Sequence, residues 1–161
     1  MGDLNDVMAK IAELDAAIEN ALEIEVAEVI KNYLVESAYQ NVYEAYTPEF
    51  YSRRYGNGGI LDKDSIDIDV HGNELIAMDT LPGVEGPKGW QQLYGGDVPD
   101  GRLAEAIASG DPKYNMDKAG SRPFHEIAKE LAIESGEIED ALRRGLKRQG
   151  IDASGYTFKI V

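Results

Sequence analysis

The chain has 161 residues, a length that favours one domain, and its 43% hydrophobic share is enough to fill a core and to exclude wholesale disorder. Thirty acids against sixteen bases leave a formal charge of −14, which argues against a protein that wraps a duplex or coats an anionic membrane. With no cysteine in the chain, disulfides, thiolate metal sites and cysteine nucleophiles are excluded. No segment approaches the ~20 apolar residues that span a bilayer. The opening Met1-Gly2-Asp3-Leu4-Asn5-Asp6 carries acids where a signal peptide carries bases. A protein kept in a cytoplasm is the expectation.

From Asp3 to Tyr46 there is neither glycine nor proline. Leu4, Val7, Ile11, Leu14, Ile18, Leu22, Val26, Val29 and Tyr33 recur at spacings of three and four, so residues 3–46 read as one long helix, broken at most once. Asp3 is the expected N-cap and Thr47-Pro48 the stop. At 1.5 Å per residue such a helix is about 66 Å long, more than a small domain covers. Two readings of its acid-rich surface stand side by side. One is a solvated outer face on a core helix; the other is that part of the apolar stripe packs on another subunit.

Residues 47–121 hold twelve glycines and five prolines and read as strands and loops. Ile66-Asp67-Ile68-Asp69-Val70 alternates with period two. His71-Gly72-Asn73 supplies a turn, and Glu74-Leu75-Ile76-Ala77-Met78 resumes, which predicts an antiparallel hairpin. Thr80–Gly101 reads as a loop, and Arg102–Ser109 as a short helix stopped by Gly110. Residues 122–149 are helical again, entered through Pro123 and bent at Gly136, with acids early and bases late in the last helix, as its dipole prefers. Residues 150–161 form a tail whose Tyr156–Val161 end has strand character. The fold class is therefore α+β: a long N-terminal helix, a small antiparallel sheet, and C-terminal helices packed on the sheet, all in a single domain.

Candidate chemistry is sparse. Asp62-Lys63-Asp64-Ser65-Ile66-Asp67 puts Ile66 and Asp67 where a calcium loop needs an oxygen donor and a glycine. His71 and His125 have no partners at zinc-ligand spacing and no serine elbow. Gly56-Asn57-Gly58-Gly59 lacks the order of a phosphate loop. No catalytic, metal or cofactor residue is expected. A metal-dependent hydrolase built on Asp62, Asp64 or Asp67 is the weakest of the functional readings. The aromatic run Tyr33, Tyr39, Tyr43, Tyr46, Tyr51 and Tyr55, interrupted by Arg53-Arg54, is what a packed core or subunit interface favours. A stacking groove for single-stranded nucleic acid needs a less acidic setting.

The stretch Val42-Tyr43-Glu44-Ala45-Tyr46-Thr47-Pro48-Glu49-Phe50-Tyr51-Ser52-Arg53-Arg54 resembles a segment of small virion proteins of tailed bacteriophages, the head–tail connector and tail-completion (tail-component) family. Leu103-Ala104-Glu105-Ala106-Ile107-Ala108-Ser109-Gly110, then Gly120-Ser121-Arg122-Pro123-Phe124, is similar to the same family's short helix, insertion and Arg-Pro-Phe helix start. The Thr80–Gly101 loop and the Tyr156–Val161 extension depart from its pattern. The resemblance implies a non-enzymatic subunit without cofactor that forms a homo-oligomeric ring at the neck. Its partners would be portal-adaptor and tail proteins, and the genome would pass through an acidic lumen without sequence-specific contact. It implies a place in the virion, reached from the host cytoplasm, and no membrane. Tyr43, Tyr46, Tyr51, Arg53, Arg54 and Phe124, with Trp90 and Tyr94 in the long loop, are the expected packing and interface residues. A small cytoplasmic protein–protein interaction module unrelated to virions is the alternative.

Overall fold

The computed structural model describes residues 3–45, 47, 58–83, 97–114 and 120–161. The chain is α+β, as the sequence predicts. Helix runs unbroken from Leu4 to Glu44 in four stretches: α1 (Leu4–Ala21), a π-helical stretch (Leu22–Val26), α2 (Ala27–Ala38) and a second π stretch (Tyr39–Glu44). Asp3 occupies the N-cap position in extended geometry, and its carbonyl accepts from the Asp6 and Val7 amides (2.9 and 3.3 Å). Its carboxylate takes the Asn5 side-chain amide (3.2 Å) instead of capping the helix.

Strands β1 (Ile66–His71) and β2 (Glu74–Asp79) form the predicted two-stranded antiparallel hairpin. Gly72 turns it with φ of +62°, a conformation that glycine adopts without steric cost. Ile66 and alternate residues Ile68, Val70, Leu75 and Ala77 are buried or half-buried, while Asp67, Asp69 and Glu74 face water. Helix α3 (Leu103–Ser109) ends at Gly110, where the Asp111 amide returns to the Ala106 carbonyl (3.0 Å). Helices α4 (Phe124–Glu134) and α5 (Glu137–Arg148) follow, joined at Gly136.

The backbone gathers into two compact units. The first comprises residues 1–30, 68–77 and 132–161; the second, residues 31–67 and 78–131. In the first, α5 packs on α1 and on the π stretch that follows it. The last helix thus has the first helix as its main partner, where the sequence reading laid it on the sheet. The crossing is built from small residues. Ala17, Ala21, Ala141 and Gly145 are buried there with Leu22, Val26, Leu142 and Leu146. A Cβ added at Gly145 would meet the Ala21 side chain and lie 2.6 Å from Glu25 Oε2, so glycine is what allows this approach.

The second unit is organised around Phe124, with Ala38, Val42, Tyr43, Ile60, Leu81, Val98, Leu103 and Ala104 in one buried cluster. Ser37, fully buried, donates to the Phe124 carbonyl (2.8 Å). The described ends of the long loop are pinned together. Gly83 N donates to Asp100 Oδ1 (2.6 Å) and Gly101 N to the Leu81 carbonyl (2.9 Å).

One expectation fails. Residues 151–161 form no strand. The Arg143 guanidinium takes the carbonyls of Ala153 and Tyr156 (2.8 Å to the latter), and its charge lies over the Phe158 ring at 5.1 Å. A side chain on α5 supplies the donors that a neighbouring strand would have supplied.

Candidate interaction surface

The longest apolar stripe of the first unit is covered at one end only. At the inner end of α1, Ala17 and Ala21 are buried under α5. At the outer end the same periodicity continues, yet Leu4 is 72% exposed, Val7 49%, Met8 60% and Ile11 54%. These four lie at i, i+3, i+4 and i+7 and so share one face. Leu14, half-buried, continues the face. Val7, Ile11 and Leu14 form one wall of a shallow groove of about 410 Å³, and Ile151 and Tyr156 of the tail form the other. Lys10 and Glu13 stand on its rim. Burying one large aliphatic side chain releases about 1.5–3 kcal/mol, so four left in water on one helical face make an apolar patch of the kind that interaction surfaces use.

The inner end is locked by charge. Arg148 Nε donates to Glu25 Oε1 (2.6 Å), and its Nη2 to Asn20 Oδ1 (2.7 Å). The hydrogen-bonded guanidinium holds the Glu25 carboxyl below the ordinary glutamate range, and the carboxylate raises the arginine in return. The Gln149 side chain reaches back to the Ala17 carbonyl (2.8 Å). In the same unit, the Gly72 amide of the hairpin turn donates to Glu19 Oε1 (2.7 Å). These contacts fix the inner half of α1 and leave the outer half without them.

The titratable groups singled out by sequence have local duties. Asp62 accepts from the Gly58 amide (2.7 Å) and the Asp64 amide (3.1 Å), and those two N–H groups lower its carboxyl below the ordinary aspartate range. It is a turn-capping residue. His71 Nε2 lies 3.0 Å from Asp69 Oδ2 at the exposed hairpin tip. His125 Nε2 lies 2.5 Å from Asp79 Oδ2, with the imidazole tilted against the Phe124 ring at 3.9 Å. This pair ties the start of α4 to the end of β2. Among the described residues, neither histidine has a serine or threonine hydroxyl as a hydrogen-bond partner. Among the described residues no group of three or more His, Cys, Asp or Glu could hold a metal ion. Among them, too, no helix is long and apolar enough to cross a membrane.

Of the residues expected at an interface, Phe124 and Tyr43 are buried together in the core of the second unit. Tyr46, Tyr51, Arg53, Arg54, Trp90 and Tyr94 lie outside the described residues. The open face of α1 was not among the expected site residues. Its periodicity was visible, but a stripe covered by its own chain and a stripe left open share one spacing.

An acid-rich α+β chain with a buried aromatic core and one uncovered helical face is the class of molecule defined here. The chain belongs to the YomN family, a phage-derived family whose model matches residues 3–148, and so nearly the whole sequence. Neither the curated proteins nor the solved structures compared with it give a significant match.

Proposed function

We propose that this protein is a non-enzymatic structural subunit of a tailed-phage particle, a ring-forming component of the neck that joins capsid portal to tail. The observation that carries the reading is the open apolar face Leu4–Ile11 on a chain of charge −14. A subunit that is finished only on assembly presents such a face. Membership of a phage-derived family supports the particle as the place of assembly. The charge supports a position beside moving DNA, because an acidic wall repels phosphate and a ring multiplies that effect. Ring closure needs two different complementary faces on each subunit. The open α1 face is one candidate for such a contact.

The test is the composition and density of purified particles, together with light scattering of the isolated protein. The reading expects the chain in the neck at a fixed copy number. A chain absent from particles, or one that turns over a compound at a rate abolished by point changes, overturns it.

A further inference from the structure

The hairpin is a sheet of two strands, so each strand has one side of its backbone without a partner strand among the described residues. Alternate N–H and C=O groups of an antiparallel strand point to that side. Among the described residues, no backbone group of residues 67–71 is hydrogen-bonded outside the hairpin. The side chains of β1 alternate too. Ile66, Ile68 and Val70 are buried or half-buried, and Asp67 and Asp69 are exposed. The tail shares both properties. Phe158 and Ile160 are half-buried, while Thr157 and Lys159 are exposed. Among the described residues, no backbone group of residues 157–161 is hydrogen-bonded. An open strand edge and an extended segment of matching period are the two parts of a strand-addition contact.

We infer that residues 157–161 of one copy add as a strand to the outer side of β1 in a second copy. The period of two fixes which faces meet. With Phe158 and Ile160 continuing the row of Ile66, Ile68 and Val70, Lys159 lies on the face of Asp67 and Asp69. Opposite charges side by side on neighbouring strands stabilise the pair. Asp69 has His71 beside it (3.0 Å), and Asp67 has no basic partner among the described residues. Beside β2 the same lysine would meet Ile76 and Met78, both apolar and exposed, so charge selects β1. The occupant is another copy's tail and not the chain's own. Within one chain Arg143 on α5 holds the stem of the tail through the Ala153 and Tyr156 carbonyls and the Phe158 ring, and the tail forms no strand. The contact joins two different surfaces, tail to edge, and is therefore of the heterologous kind that closes a ring. It rests on the assembly reading and deepens it by naming one contact between subunits.

The chain has no cysteine, so full-length single-cysteine variants can be mixed in pairs and oxidised mildly. Lys159→Cys should form a disulfide-linked heterodimer with Asp67→Cys or Asp69→Cys. It should do so faster than with Ile76→Cys, on the same hairpin face but the other strand, or with the exposed Lys129→Cys on α4. Melting of each variant separates lost contact from lost fold. Amide exchange of the unmodified chain reads the ladder directly. As protein concentration rises, protection should appear at every second amide of residues 157–161 and of β1. Cross-linking no faster than to Lys129→Cys, faster cross-linking to Ile76→Cys, or tail amides that stay unprotected at every concentration overturns the inference. So does an Asp67→Cys/Lys159→Cys or Asp69→Cys/Lys159→Cys double variant that closes within one chain at high dilution. Any of these results in a chain that is found in the neck leaves the particle reading standing. Tail-to-edge cross-linking by a chain absent from particles does the reverse.

Discussion

The two halves of α1 make a controlled comparison. Both are α-helical, both repeat apolar residues at three and four, and both are rich in acids. The inner half meets Gly145 of α5, and its neighbour Glu25 is held by Arg148. The outer half shares only a shallow groove with the tail. Equal patterning with unequal cover separates the two ends: one is packed within the chain, and the other stays open for the association proposed above. The inner half should therefore respond to substitution with lost stability, and the outer half with lost association.

The largest effect should come from Leu146→Ala. The side chain is fully buried, so the cavity and the lost burial should cost about 2–5 kcal/mol in urea unfolding. Gly145→Ala should follow. Its methyl would press on Ala21 and Glu25, and overpacking of this kind costs about 1–3 kcal/mol. Glu25→Gln should cost less, and its effect should depend on pH. The Glu25 carboxyl is lowered in the folded state, so the pair stabilises at neutral pH. That contribution is lost as pH falls through the ordinary glutamate range towards the depressed folded value. In Glu25→Gln this portion of the acid-induced loss should be missing, which melting curves across acid pH will show. Ile11→Ser should leave urea stability within about 0.5 kcal/mol of the parent while weakening association through the open face. If Ile11→Ser destabilised as Leu146→Ala does, the contrast between the halves would vanish.

Much of the fold was legible in the residues. The helix from Asp3, the hairpin turned at Gly72, the stop at Gly110 and the bend at Gly136 each rest on local rules of spacing, turn chemistry and backbone freedom. Non-local facts were not legible. Residues 156–161 have the composition of a strand, but Arg143 of the preceding helix takes the carbonyls of Ala153 and Tyr156. The last helix found the first helix because Gly145 and Ala21 are both small, a match that no single segment displays. Asp62 read as a weak metal candidate, and only the position of the Gly58 amide reveals its capping duty. For the interface, Tyr43 and Phe124 announced burial correctly as aromatic residues, but residue type does not say on which side of a surface a ring will lie.

The most direct measurement places a photo-activated cross-linking residue at Met8, on the exposed face, and irradiates assembled particles. The account predicts an adduct joining this face to a neighbouring polypeptide. Particles that contain the chain but give no adduct at position 8 would contradict it.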